Sequence, residues 1–75
     1  MQAYKNLSGT SGVVAFQIGD HHIDIEFAGR KRYRYDYTKP GEKEVETMKT
    51  LAKSGKGLAT FISQNVGERF AAKLS

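Results

Sequence analysis

The chain has 75 residues and no cysteine, so it holds one domain at most, and neither a disulfide nor a thiolate metal site is open to it. Hydrophobic residues at 39% and charged residues at 27% belong to the ordinary globular range, and the apolar runs are far too short for a membrane span. The formal charge of +4, from 12 Lys and Arg against 8 Asp and Glu, favours polyanionic partners without naming one.

The opening "MQAYKNLSGTSG" lacks the charged, apolar, small order of a secretion signal. Residues 1–12 therefore read as a flexible lead-in, residues 13–75 as a single domain, and the protein as soluble, cytoplasmic and of bacterial or phage type. From residue 13 the pattern alternates. Val14, Phe16 and Ile18 share one parity, and Ile23, Ile25 and Phe27 continue it on a return strand that carries His22, Asp24 and Glu26 between them. Gly19-Asp20 reads as a two-residue hairpin loop in which glycine supplies positive φ, setting Ile18 opposite His21 and Phe16 opposite Ile23. A turn at Ala28-Gly29-Arg30 opens a third strand. Pairing Phe27 with Tyr33 then sets Ile25 against Tyr35 and Ile23 against Tyr37, with Glu26 opposite Arg34 on the other face.

From Pro40 the period becomes helical. Val45, Met48, Leu51 and Ala52 form one stripe, with Glu42, Glu44 and Glu46 early and Lys49 and Lys53 late, as the helix dipole favours. Pro40 suits a first turn and Gly55 a stop. A second stripe runs through Leu58, Phe61, Ile62, Val66, Phe70 and Leu74, interrupted at Gly67. The expected fold is α+β: a three-stranded antiparallel meander, about 13–19, 22–28 and 31–37, with two or three C-terminal helices packed on one face.

Residues 30–39, "RKRYRYDYTK", concentrate the positive charge, with Arg30, Lys31, Arg32, Arg34 and Lys39 against Asp36 alone. Neighbours in a strand point to opposite sides. Tyr33, Tyr35 and Tyr37 are thus expected toward the core, Tyr37 at the strand end bringing its hydroxyl to the surface. Arg32 and Arg34 are expected in solvent, within reach of Asp24 and Glu26. "SGKG" at 54–57 offers backbone N–H groups and Lys56 to a small anion, but its spacing is not that of a Walker A loop, and a helix stop followed by a turn accounts for it. His22, Asp24 and Glu26 share a face yet spread over about 13 Å, too far to converge on a metal ion. No nucleophile motif is organised, so no catalytic residue, metal or cofactor is expected. Asn65, inside the second apolar stripe, reads as a satisfied buried amide.

The ordered set formed by "IDIEF", Tyr33-Arg34-Tyr35, Pro40 and "SGKGLATFISQNV" resembles the KTSC domain, found at the C-terminus of certain lysyl-tRNA synthetases and as a small stand-alone protein of bacteria and phages. The resemblance runs from about Ser11 to Phe70. Lys56-Gly57, Phe61-Ile62 and Asn65-Val66 stand where the family has a basic-glycine turn, two apolar residues, and an asparagine before an aliphatic. Ile62-Ser63-Gln64 departs from the aromatic-asparagine-basic run often found there. The resemblance implies a strand meander followed by helices and, through the synthetase context, RNA as partner.

Charge and resemblance together predict a non-enzymatic accessory module that binds nucleic acid. Arg30, Lys31, Arg32 and Arg34 would meet phosphates, Lys56 and Arg69 would assist, and Tyr37 would stack at the rim. Four phosphate contacts on a single strand imply a log–log salt slope of about −3. Two alternatives stand beside this reading. One is a protein-interaction module of a bacterial or phage assembly, using an exposed sheet edge or the helical surface. The other is that the arginines form an ordinary solvated face, exchanging weak salt bridges of about 0–1 kcal/mol with Asp24 and Glu26.

Overall fold

A computed structural model describes residues 1–7, 9 and 11–75. One antiparallel sheet takes its strands in chain order: β1 (Gln2–Ala3), β2 (Val13–Ile18), β3 (His22–Phe27), β4 (Lys31–Asp36) and β5 (Ala72–Lys73). Helix α1 spans Glu42–Ser54. Helix α2, Leu58–Phe61, runs directly into a π-helical turn, Ile62–Val66. The α+β class and the central meander match the sequence reading, but five strands replace three. The helices fall within the expected two or three, and Gly67, at φ 59°, ends the helical path. The chain then returns as β5 to pair with β4.

Described residues before 13 also join the fold. β1 pairs with β2, Tyr4 is buried, and its hydroxyl accepts a hydrogen bond from the Leu58 N–H at 3.3 Å. Leu7 N–H donates to the Gly55 carbonyl at 2.8 Å, so the lead-in is seated on the turn between α1 and α2.

Two registers differ from the expected ones, each by an even step that keeps every side chain on its face. Ile18 pairs with Ile23 and Phe16 with Ile25, so the loop is Asp20-His21, closed by the Gly19 N–H on the His22 carbonyl at 2.9 Å. Gly19 does not have positive φ. Its role is space, since a Cβ there would lie 2.1 Å from the His22 ring. In the next hairpin Phe27 pairs with Lys31, Ile25 with Tyr33 and Ile23 with Tyr35. A three-residue turn with Gly29 (φ 86°) and Arg30 (φ 62°) left-handed makes this tighter pairing possible. A bulge between Val13 and Ala15 shifts the start of β2 by one residue. Val13 is therefore buried and Val14, expected inside, lies outside.

The core fills the space between one sheet face and the helices. Phe16, Ile23, Ile25 and Tyr35 meet Val45, Met48 and Ala52 of α1, with Leu58, Ile62 and Val66 closing one side. Pro40 precedes α1 behind a cis Lys39–Pro40 bond, rather than sitting in its first turn. Gly55 ends α1 in the left-handed conformation, its N–H returning to the carbonyls of Leu51 and Ala52.

Candidate nucleic-acid interface

The tighter β3–β4 register sets Asp24 directly opposite Arg34 and Glu26 opposite Arg32, on the sheet face away from the helices. Arg34 grips Asp24 with two hydrogen bonds, Nε to Oδ1 at 2.8 Å and Nη2 to Oδ2 at 3.0 Å. Hydrogen bonding to this buried carboxylate, with its charge, raises the Arg34 pKa. Arg32 Nε donates to Glu26 at 3.1 Å, in a more exposed pair. Each arginine thus has a protein anion of its own, and Arg34, held in a bidentate fork, is poorly placed to turn to a phosphate.

Three of the cations that have no ion pair among the described residues meet at one end of the sheet. Arg30 and Lys31, in and just after the β3–β4 turn, are exposed and have no ion-pair partner among the described residues. β5 brings a third, since Lys73 pairs with Tyr33 across the strands and is likewise exposed and unpaired. Ser75 Oγ donates to the Arg30 carbonyl at 3.1 Å, fastening the C-terminal segment to the turn. Lys73 was beyond the sequence reading because Phe70 and Leu74 look like a continued helical stripe. The available signal was Gly67, which leaves too few residues after it for a stable helix.

All three tyrosines of the alternating stretch lie on the helix side. Tyr35 is only 2% exposed, and burial pushes its hydroxyl pKa up to about 12. Tyr33 stands between Phe27 (ring centroids 5.9 Å apart) and Phe70 (4.6 Å). These three rings, with Tyr35, Ile62 and Glu68, line a cleft of about 170 Å³. Tyr37 lies beyond β4, where its hydroxyl donates to Glu46 Oε2 at 2.6 Å. Its ring meets His21 edge-on at 5.1 Å, with Lys49 Nζ 5.7 Å from its centre. The Glu46 bond raises the Tyr37 pKa to about 12, and ties to Lys49 first and Tyr37 second lower that of Glu46. Tyr37 therefore joins the sheet to α1 rather than standing beside the arginines.

Lys56 is exposed in the α1–α2 turn. Most of the N–H groups around that turn are engaged: Gly55 bonds back into α1, Lys56 to the Ser54 hydroxyl at 3.4 Å, and Leu58 to Tyr4. Arg69 curls onto the π-helical turn, donating from Nε to the Val66 carbonyl at 3.3 Å and from Nη2 to the Asn65 carbonyl. Its guanidinium also lies 3.9 Å from Glu44. Asn65 is exposed, not buried, because the wider π turn rotates it out of the stripe. Its amide donates to the Phe61 carbonyl at 3.2 Å. Among the described residues no three His, Asp or Glu side chains are grouped to hold a metal ion, and no helix is long and apolar enough to cross a membrane. No family model, curated protein or solved structure matches the chain.

Proposed function

We propose that this protein is a non-enzymatic, KTSC-like binding module that holds single-stranded nucleic acid, RNA by preference, through phosphate contacts at the turn end of the β3–β4 hairpin. The observation that carries the reading is the presence there of Arg30, Lys31 and Lys73, none in an ion pair among the described residues, beside Arg32 with its single partner Glu26. Exposed cations that no protein carboxylate has claimed are the ones free to replace counterions on a phosphate chain. The paired Arg34 contributes to the fold of that end, not to the contact. The RNA preference comes from the family resemblance alone.

Edge pairing with another protein has less to offer. β1 takes the outer side of β2, and β5 takes that of β4, with the Ala71 and Leu74 N–H groups adding bonds to the Arg34 and Arg32 carbonyls at 2.7 and 2.8 Å. The outer strands of the sheet are thus two-residue segments, a short template for a new strand.

The test is a titration of the isotope-labelled chain with a short single-stranded RNA at about 50 and 200 mM salt. Three phosphates neutralised on a single strand give a log–log salt slope of about −2, rather than the −3 of four. Amide shifts should centre on residues 28–32 and 72–74. Lys31→Glu with Lys73→Glu should abolish binding, whereas Lys56→Glu should leave it nearly unchanged. A zero slope, or shifts confined to the α1–α2 turn, would overturn the assignment.

A further inference from the structure

Buried tyrosine hydroxyls ordinarily find a partner. Tyr4 has the Leu58 N–H and Tyr37 has Glu46, but the Tyr35 hydroxyl has no hydrogen bond among the described residues, although its residue is 98% buried. It is not sealed off either, since no fully occluded polar side-chain atom lacks a partner. Tyr35 lines a cleft with Phe27, Tyr33, Phe70, Ile62 and Glu68, the space next to that hydroxyl's ring. The fold supplies that hydroxyl with nothing to bond.

The surroundings restrict what fits. Phe27, Tyr33 and Phe70 form an aromatic wall, Tyr33 inclined at 64° to one ring and 42° to the other. About 170 Å³ lies below the roughly 300–1,000 Å³ of sites for drug-sized molecules, so the space suits one flat ring. Glu68 adds an acceptor at the mouth, suited to an N–H donor. Lys31 is the cross-strand partner of Phe27 and Lys73 that of Tyr33, so both unpaired cations belong to the strand positions that build the aromatic wall. A flat ring with a hydrogen-bonding edge, joined to phosphate, matches every one of these groups. An aromatic side chain of a partner protein would use the rings and leave Glu68, Lys31 and Lys73 idle.

We propose that this cleft is a single-base slot: it takes a nucleobase bearing an exocyclic amine against Phe27, Tyr33 and Phe70, with the Tyr35 hydroxyl and Glu68 on the base edge and Lys31 and Lys73 on the flanking phosphates. The slot rests on the nucleic-acid reading above and adds to it where a base goes. Base–aromatic stacking is worth about 1–3 kcal/mol per base, which corresponds to roughly 5- to 150-fold in affinity.

The experiment compares short oligoadenylate with an abasic sugar-phosphate chain of equal length and charge, titrated into the labelled full chain at about 50 mM salt. Oligoadenylate should bind roughly 5- to 150-fold more tightly and alone shift the ring signals of Phe27, Tyr33 and Phe70. Tyr35→Phe, which removes no bond of the fold, should weaken oligoadenylate about 5-fold and leave the abasic chain unaffected. Equal, salt-sensitive affinities for both chains would overturn the slot and keep the phosphate contacts. No binding of either would overturn both. Ring shifts with a neutral tryptophan peptide but not with oligoadenylate would overturn the slot in favour of a protein partner.

Discussion

At the level of single residues, two contacts across the chain hold parts that local pattern leaves unrelated. The Tyr4 hydroxyl accepts from the Leu58 N–H in a buried site, satisfying a donor at the start of α2 that has no helical partner. Tyr4→Phe keeps the ring and orphans that N–H, so a stability loss of about 1–2 kcal/mol is expected in urea unfolding. Tyr35→Phe makes the opposite prediction at neutral pH. Its hydroxyl has no partner to lose, so the midpoint should be unchanged or slightly higher. Lys49 illustrates how far a residue's surroundings can depart from its place in a pattern. It has the look of an ordinary late-helix cation, yet it is 8% exposed, with Nζ bonded to the Asp20 carbonyl at 3.1 Å and to Glu46 at 2.8 Å. Only the arrival of the β2–β3 turn beside α1 gives it that role.

At the level of elements, α1 and its stop were legible in the chain. Apolar residues at helical spacing, acids at the start, a lysine at the end and glycine beyond all act locally, through backbone hydrogen bonding and the helix dipole. Gly55 has a second duty that is not local. At φ 77° it needs no Cβ, and a Cβ there would lie 2.6 Å from that of Lys5. Gly55→Ala should therefore cost about 2 kcal/mol or more, combining left-handed strain with displacement of the N-terminal segment. Chemical denaturation, with amide exchange at Leu7, distinguishes the two parts: displacement exposes the Leu7 N–H that now bonds Gly55, whereas strain alone does not. Strand identity was equally legible from alternation. Register was not, because Phe27 facing Lys31 or Tyr33 keeps the same faces, and the choice lies with turn conformations at Gly29 and Arg30. The two-residue strands β1 and β5 carry no period at all. They exist because β2 and β4 offer them unpaired edges.

For the whole molecule, protonation ties stability to pH through the tyrosines on the helix side. Tyr35 and Tyr37 are both raised from 10.0 to about 12, the first by burial and the second chiefly by the Glu46 hydrogen bond. Between these values the unfolded chain gives up protons that the folded chain keeps, so the contribution is intact below pH 10 and is lost as pH rises through about 12. Tyr35→Phe should move the alkaline unfolding midpoint upward, followed by circular dichroism. Glu46 works in the other direction. Its pKa is lowered by Lys49 and Tyr37, so its contribution is present above the ordinary carboxylate range and fades as pH falls through the lowered value. Glu46→Gln should therefore flatten the acid limb.

The same division runs through the candidate interface. The sequence by itself determined that the chain is a small α+β domain with a basic stretch whose tyrosines and arginines face opposite ways, because side-chain period, helix stops and charge order are properties of neighbours along the chain. The tertiary structure decided which of those charges are free. Strand pairing placed Asp24 against Arg34 and Glu26 against Arg32, while β5 carried Lys73 to the end where Arg30 and Lys31 already stood. It also decided that the tyrosine with the unused hydroxyl lines an aromatic cleft beside them. Charge neutralisation acts over a few ångströms in space, and only the folded chain says which residues are that close.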